Sequence, residues 1–307
     1  MEPDPEFPHP SGRAVQLDPD LRLIRAPNPS PMTGPGTNTY LLGPHDVVVI
    51  DPGPALPGHL AAILAALPAN ARISHILVTH SHLDHSALAR PLAAATGAPV
   101  LGFGTCDAGR SAIMARLALA GGVGGGVGGG EGVDPGFTPD VVVADGQRLR
   151  LGGTDIEVIH TPGHFGNHLC FASAGRLFSG DHVMGWASSL ISPPDGDLTD
   201  YMASLARLVL RPDRIYHPGH GAPVLVPAAR VKWLIRHRRA REARVLAALG
   251  PKPQSLDDLL PEVYADTDPH LWPAAARNLL AHLIDLHQRG LIGVTGSLGP
   301  AARYRRP

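Results

Sequence analysis

Three histidines and one aspartate fall within six positions of the segment THSHLDHSA, which covers residues 79 to 87. The segment directly follows an apolar run that is typical of a buried strand. Alternate loop residues His80 and His82 can turn two imidazoles toward one point, and Asp84 and His85 at the start of a following helix add two more groups. A catalytic zinc site needs only three protein ligands. The four groups therefore predict two neighbouring metal ions.

Further candidate ligands come after other predicted strands. They belong to TPGH at 161 to 164, FSGD at 178 to 181 and HPGHG at 217 to 221. Glycine and proline beside each candidate let the backbone turn sharply where a side chain must approach a metal. We therefore expect all four motifs to meet at one edge of the fold.

Short apolar segments alternate with Pro/Gly-rich turns and alanine-rich stretches up to about residue 225, which indicates a layered body of strands and helices. The predicted strands are Thr39–Leu42, Val47–Asp51, His75–Thr79, Val100–Gly102, Ile156–His160, Cys170–Ala174, Leu177–Gly180 and Arg214–His217. The predicted helices are Gly58–Leu67, Ser86–Thr96 and Tyr201–Leu210. The glycine-rich stretch 121–132 lacks the Lys-Ser/Thr of a phosphate-binding loop, and we interpret it as a flexible surface insertion.

The composition changes to longer, charged helical segments near the C-terminal end. A basic helix is predicted at Ala228–Leu249, a short helix capped by Ser255 follows, and an amphipathic helix covers Ala274–Arg289. A small hairpin is predicted between Gly290 and Tyr304. Helices that end in a hairpin are typical of a winged-helix module.

The 307 residues, 44% of them apolar, suffice for one large domain and a small one. A formal net charge of −1 does not commit the whole molecule to nucleic acid or membrane. The two cysteines, Cys106 and Cys170, are too few for a disulfide framework and are predicted to be small buried residues. The acidic, proline-rich start does not resemble an export signal, and no apolar run is long enough to span a membrane. We expect a cytoplasmic protein.

The motifs THSHLDH, TPGH, SGD and PGHG, in this order, resemble the metallo-β-lactamase superfamily of binuclear metallohydrolases. The segments at 28–43, 180–186 and 193–197 and the C-terminal module narrow the resemblance to the β-lactamase-like protein 2 group. This resemblance implies an α+β fold, an αββα sandwich followed by a winged-helix-like domain. We place the catalytic domain at residues 1–227 and the C-terminal domain at residues 228–307.

The same resemblance implies three ligands for each of two metals and one aspartate between them. The first metal would be held by His80, His82 and His164, the second by Asp84, His85 and His220, and Asp181 would bridge the pair. Zinc is favoured, with iron or manganese as alternatives. The nucleophile would be a metal-bridging hydroxide, because zinc lowers the pKa of bound water to about 7. Asp84 is expected to act also as the carboxylate that receives a proton.

Four more histidines lie beside these motifs. His168 is predicted to contact substrate or to orient a ligand, whereas His160, His182 and His217 are predicted to be structural or to support the ligands.

The substrate stays open between single-stranded RNA and a small ester, thioester or lactone. The basic helix could attract phosphates, or it could be a solvated face that joins the two domains. One alternative is a hydroxyacylglutathione hydrolase-type thioesterase, whose family has a purely helical C-terminal region; the predicted wing argues against it. A non-enzymatic alternative is a winged-helix regulator that senses a metal or ligand. It is disfavoured because the predicted recognition helix, Ala274–Arg289, contains only two arginines.

Overall fold

The structure, a computed structural model, describes residues 9–120 and 132–307. The glycine-rich stretch predicted as an insertion therefore lies outside the described residues, apart from Gly132. The described residues form a seven-stranded sheet, a five-stranded sheet and a two-stranded hairpin.

The seven-stranded sheet contains the first seven strands in chain order. They are β1 (Ala14–Asp18), β2 (Leu21–Arg25), β3 (Asn38–Leu42), β4 (Asp46–Ile50), β5 (Arg72–Leu77), β6 (Val100–Gly102) and β7 (Val141–Val142). The first four strands pair antiparallel, and β4 to β7 pair parallel. Valine and isoleucine dominate β4, which fits its burial on both faces.

The five-stranded sheet has the order β12-β11-β10-β9-β8. Its strands are β8 (Arg148–Leu151), β9 (Thr154–His160), β10 (Leu169–Ser173), β11 (Arg176–Gly180) and β12 (Ile215–Pro218). β10 is antiparallel to both β9 and β11, and β11 is parallel to β12. Strands β9, β11 and β12 therefore all run in the same direction.

The two large sheets pack face to face, and helices cover their outer faces. The helices of this region are α1 (Pro57–Ala65), α2 (Leu83–Ser86), α3 (Ala89–Thr96), α4 (Ala112–Leu119) and α5 (Leu198–Leu208). Tyr40 and Ile50 of the first sheet share a core with Phe171 of the second. Ile63 of α1 packs on the outer face of the first sheet, and Leu205 of α5 packs on that of the second. This is the predicted αββα sandwich.

The helix predicted at Ser86–Thr96 is wrong as a single element, because the structure has two helices, α2 and α3. Pro91 explains the break, since in a continuous helix its ring would clash with the carbonyl of Ala87. The N–H of Leu88 instead donates to the carbonyl oxygen of Gly53 at 3.0 Å. The turn that carries the candidate ligands is thus a separate unit from α3.

The C-terminal module contains three α-helices and the hairpin. They are α6 (Pro227–Ala248), α7 (Leu256–Val263), α8 (Trp272–Gln288), β13 (Gly293–Thr295) and β14 (Arg303–Arg305), with a short 3-10 helix at Pro269–Leu271. The two hairpin strands pair antiparallel with Val294 opposite Tyr304. Helices followed by a hairpin confirm the predicted winged-helix arrangement.

Helix α6 contributes to two cores. Val231 and Leu234 pack with α5 and the five-stranded sheet, whereas Val245 packs with α7, α8 and Met114 of α4. The module is therefore packed against the sandwich, and the division between residues 227 and 228 stays a prediction. None of the helices in the described parts of the chain combines the length and apolar character that a bilayer crossing requires.

Candidate metal centre

Every candidate ligand follows a strand end at the same edge of the sandwich. The first motif follows β5, and His164, Asp181 and His220 follow β9, β11 and β12. The carboxyl ends of strands that run in one direction meet at one edge, where α/β proteins commonly build sites. Gly219 is required beside them, because a Cβ there would lie 2.4 Å from Asp181 Oδ1.

One group of candidate ligands consists of His80, His82, His164 and Asp181. Their ligating atoms all lie within 4.8 Å of one another, and all four residues are buried. His82 Nδ1 lies 2.8 Å from His80 Nε2 and 3.1 Å from His164 Nε2. Three ring nitrogens therefore converge on one point.

The second group consists of Asp84, His85 and His220, again buried with ligating atoms within 4.8 Å. His220 Nε2 lies 3.3 Å from His85 Nε2 and 3.3 Å from Asp84 Oδ2. Asp181 joins the two groups, because its Oδ2 lies 3.2 Å from His220 Nε2 and 3.6 Å from His164 Nε2. The structure thus brings together all seven residues that the sequence singles out as ligands.

Four of the five histidines share one ring orientation. The Nδ1–H of each donates to a protein oxygen, so that the lone pair of Nε2 faces the cluster, as is usual for metal-binding histidines. The accepting oxygens are Thr79 Oγ1 for His80 (3.0 Å), Asp51 Oδ2 for His85 (2.9 Å), the Leu190 carbonyl for His164 (2.7 Å) and the Gly36 carbonyl for His220 (3.3 Å).

Buried carboxylate oxygens without a hydrogen-bond donor indicate whether these residues suit metal cations. Asp84 Oδ1 and Asp181 Oδ1 are buried and have no hydrogen-bond partner among the described residues. Buried oxygens without donors are rare in folded proteins, and ring nitrogens that face each other with lone pairs repel unless a cation or proton lies between them. Imidazole and carboxylate together suit zinc, iron or manganese. The residues present therefore fit a binuclear metal site.

The two groups differ in their electrostatics. Burial, with neighbouring histidines, lowers the pKa of His82 to about 3, so that this imidazole is neutral. Burial also acts to lower the pKa of His220, but Asp181 and Asp84 outweigh it and raise that pKa to about 9. Burial would raise the pKa of Asp181, yet His220 and His85 hold it well below its usual range. His220 Nε2 lies 3.3 Å from Asp84 Oδ2 and 3.2 Å from Asp181 Oδ2, so the two carboxylates raise the pKa of this histidine of the second group.

Asp51 is a residue of this site that the sequence analysis missed. Its carboxylate accepts from the N–H of Thr79 at 2.7 Å and from the hydroxyl of Thr79 at 2.8 Å, in addition to His85. Its backbone is in the left-handed region, with a φ of 51°. Asp51 follows β4, the parallel neighbour of β5, so an aspartate after an apolar strand was the signal that could have found it.

His168 lies behind the cluster and is fully buried. Its Nδ1 lies 2.9 Å from Thr161 Oγ1, and its Nε2 accepts from the backbone N–H of Asp181 at 3.3 Å. Through these contacts His168 can orient the candidate ligand Asp181. Direct contact between His168 and the substrate stays a prediction. The ring of His160 stacks on the ring of Phe103 with 3.8 Å between their centroids, and His160 lies outside both groups of candidate ligands. His182 and His217 are buried and also lie outside them.

A cleft of about 300 Å³ opens beside the cluster, and His164 and Asp181 form part of its wall. Apolar side chains supply much of the remainder, among them Met32, Met184, Trp186, Leu190, Leu271 and Tyr264. Helices α6 and α8 of the C-terminal module close it on one side. The cleft therefore lies between the sandwich and the C-terminal module.

Comparison with known families gives two matches along the chain. Residues 32–220 match the Metallo-beta-lactamase superfamily. Residues 255–301 match the Beta-lactamase associated winged helix domain. The first matched segment contains all seven candidate ligands and the sandwich from β3 to β12, and the second contains α7, α8 and β13 of the C-terminal module.

Three similar proteins illustrate the range of relatives. A Beta-lactamase-like protein 2 homolog of Drosophila melanogaster is 33% identical over 88% of this chain and 88% of its own length. An Atrochrysone carboxyl ACP thioesterase of Aspergillus fumigatus is 31% identical over 76% of this chain and 66% of its own length. The crystal structure of a metallo-beta-lactamase family protein from Thermus thermophilus superposes with a TM-score of 0.75 at 26% identity, covering 95% of this chain and 100% of that one.

Proposed function

The chain belongs to the metallo-beta-lactamase superfamily and carries a beta-lactamase-associated winged helix domain, and we propose that it hydrolyses small acyl esters or thioesters with the help of two divalent metal ions. The observation that carries this proposal is the cleft between the ligand cluster and the C-terminal helices. A volume of about 300 Å³ with largely apolar walls suits a small acyl group.

We assign His80, His82 and His164 to one cation and Asp84, His85 and His220 to the other, with Asp181 between them. Zinc is the metal we favour, because neutral imidazoles with few carboxylates suit it. When bound, the two cations would activate water and polarise the carbonyl of the substrate.

Within the chain, Asp84 is the residue that we assign to proton transfer. Its Oδ2 accepts from the hydroxyl of Thr37 at 3.1 Å, whereas its Oδ1 has no partner among the described residues. Burial would raise the pKa of Asp84, but His85 and His220 outweigh burial and hold it below its usual range, so the carboxylate is ionised. Asp84 Oδ1 is therefore the atom that would receive a proton from the attacking water.

The thioester part of the proposal draws on two supports. One relative of this chain is named as an acyl carrier protein thioesterase. The cleft places Met32, Met184 and Trp186 beside His164, which gives an acyl chain an apolar wall next to the cluster. In this arrangement the carbonyl group of the substrate would lie next to the metals, and its hydrocarbon chain would pack against these apolar side chains.

The basic helix α6 gives little support to RNA as the substrate. Arg230 and Arg238 are buried, and both donate to backbone carbonyls of the loop after β11. Arg244 forms an ion pair with Asp266, in which Nη1 lies 2.6 Å from Oδ2. A nucleic-acid surface needs exposed cations that track the backbone, and this helix uses much of its charge within the fold.

The regulator alternative also lacks support. The segment 279–286 of α8 is buried at every position, so this part of the predicted recognition helix cannot enter a DNA groove.

The test is an assay of the purified, metal-loaded protein on S-butyryl-N-acetylcysteamine, S-lactoylglutathione, a lactone and single-stranded RNA. We expect hydrolysis of the butyryl thioester, loss of activity with a chelator, and recovery with added zinc. Elemental analysis should find two metal ions per chain. Cleavage of RNA without hydrolysis of any ester or thioester would contradict the proposal, and selective cleavage of S-lactoylglutathione would favour the hydroxyacylglutathione hydrolase reading.

A further inference from the structure

Arg238 of α6 is a buried cation on the wall of the cleft. The residue lines the cleft, and it is only 3% exposed to solvent. One terminal nitrogen donates to Asn278 Oδ1 at 3.0 Å, and the other donates to the carbonyl of Ser189. Its Nε–H is buried and has no hydrogen-bond partner among the described residues. Both terminal nitrogens of the guanidinium are therefore held by acceptors, whereas Nε has none among the described residues.

The positive charge of Arg238 also has no ion-pair partner among the described residues. None of the ion pairs formed by the described residues includes it, although its neighbours Arg241 and Arg244 both pair with Asp266. The ring of Tyr201 lies 5.4 Å from the guanidinium carbon and compensates only in part. A buried charge without a counter-charge is strongly unfavourable, and folded proteins rarely keep one without a use.

The described wall of the cleft offers this charge no counter-charge away from the metal centre. Asp181 is the acid among the described lining residues, and it belongs to the ligand cluster. Arg241 lines the same cleft, but Asp266 balances its charge, and burial lowers the pKa of His237 to about 4, so that this imidazole is neutral. Arg238 therefore carries the uncompensated positive charge of this wall. A neutral acyl chain would leave Arg238 desolvated and unpaired, but a carboxylate would accept its free Nε–H and match its planar fork.

We propose that the substrate carries a carboxylate besides the bond that is cleaved, and that Arg238 binds this carboxylate. The inference rests on the proposed function and adds a substrate class to it, acyl esters or thioesters with an acidic group. The carboxylate can belong to the acyl part or to the thiol part of the substrate. Arg238 is then the residue that determines specificity.

Three thioesters of similar size test the proposal. S-butyryl-N-acetylcysteamine is neutral, S-succinyl-N-acetylcysteamine carries the carboxylate on the acyl part, and S-butyryl-3-mercaptopropionate carries it on the thiol part. We expect kcat/KM for one of the two acidic thioesters to exceed that for the neutral one by at least about tenfold, as a charge-assisted hydrogen bond to a substrate predicts. Whichever acidic thioester is preferred identifies the part that carries the carboxylate.

Arg238→Gln should reduce this preference to less than threefold. Arg236→Gln on the exposed face of the same helix changes the formal charge equally and should keep the preference. If Arg238→Gln does not fold, Arg238→Lys takes its place, and it should retain only part of the preference because it lacks the planar fork.

Calorimetry on the wild-type protein supplies a readout that does not depend on turnover. N-propylsuccinamic acid carries the carboxylate on the acyl side, and N-butyryl-β-alanine carries it on the side of the leaving group. One of these two acids should bind at least about tenfold more tightly than neutral N-propylbutyramide, and Arg238→Gln should remove the difference. If the neutral thioester is cleaved as well as both acidic ones, the carboxylate subsite is overturned while the proposed function stands. If no thioester is cleaved, the thioester part of the proposed function fails, and equal binding of all three amides would then overturn the subsite separately.

Discussion

Polar side chains are buried and partly unpartnered at the metal centre, whereas those at the start of α7 in the C-terminal module lie at the surface and are paired with each other. Asp84 and Asp181 each keep a buried oxygen without a partner among the described residues. Ser255 and Asp258 instead satisfy each other in a capping box, in which each side chain accepts from the backbone N–H of the other. The buried oxygens of the metal centre gain partners only when a ligand binds there, whereas the capping groups of α7 already have partners within the folded chain.

This difference separates activity from stability. A substitution at the metal centre should remove function and leave most of the folding free energy intact, because the apolar cores lie elsewhere. A substitution in the C-terminal module should lower stability and leave the chemistry intact. The wall of the cleft around Arg238 is the exception, since there the module takes part in substrate binding under our proposal.

The largest effect is expected for Asp84→Ala. The substitution removes a metal ligand and the proton acceptor together, so the activity on the butyryl thioester should fall beyond the factor of about 10² to 10⁴ typical of acid-base groups alone. Elemental analysis should find fewer than two metal ions per chain, and circular dichroism should still show a folded protein. Asp155→Ala, at an exposed aspartate, is the control and should keep full activity. An Asp84 variant that is fully active, folded and metal-loaded would rule out the proposed mechanism.

Leu283→Ala tests the other side of the comparison. Leu283 of α8 is fully buried in the C-terminal core, and removing its side chain should lower the free energy of unfolding by about 2 to 5 kcal/mol. Metal content and kcat, measured well below the unfolding temperature, should stay near wild-type values. Leu210→Ala, at a leucine that is 84% exposed, should change stability by less than about 0.5 kcal/mol. A loss of metal at unchanged stability would contradict the separation.

The clustering of the seven candidate ligands could be predicted from the sequence, because each motif carries its histidines and aspartates in a few consecutive residues after a strand. Their division between two metal ions came from the family resemblance and stays a prediction. Strands β4 and β5 were also predictable, since their apolar runs end where the chemistry begins. Helix α4 was missed, because Ile113 and Met114 gain a partner only when the distant C-terminal core packs against them. Strand β2 was missed for a related reason: its arginines interrupt the apolar pattern, and Arg22 is buried by bonds to the carbonyls of Ala66 and Gly43.

Two residues of the site were hidden for a different reason. The role of Asp51 follows from the parallel pairing of β4 with β5, which no local pattern encodes. Arg238 was one of many basic residues in the predicted helix, and its sequence neighbours do not distinguish it from exposed Arg236 or Arg239. Burial and partners at a cleft depend on how the module packs against the sandwich, and a single sequence does not give that geometry.

Asp51→Asn sharpens the comparison within the metal centre. Asparagine tolerates the left-handed backbone of this position, so the fold should persist, but the orientation and charge that Asp51 supplies to His85 would be weakened. We expect the affinity for the second metal ion to fall by about 10- to 100-fold, measured by competition with a chromophoric chelator. Asp46→Asn, at the start of the same strand and paired with exposed Arg72, is the matched control. Equal metal affinities for the two variants would show that Asp51 does not position His85.

The smallest effect is expected for Ser255→Ala. The hydroxyl of Ser255 accepts from the N–H of Asp258 at 3.2 Å, and loss of an N-cap typically costs about 0.5 to 2 kcal/mol of stability. Chemical denaturation should therefore show a modest decrease in the free energy of unfolding, while metal content and kcat/KM stay unchanged. Ser255→Thr retains a capping hydroxyl and should recover most of the loss.

Because α7 packs against α6, which carries Arg238, the preference for acidic thioesters offers a stricter check. If Ser255→Ala reduced that preference while the stability stayed unchanged, the start of α7 would be coupled to the cleft, and the two regions could no longer be treated as separate.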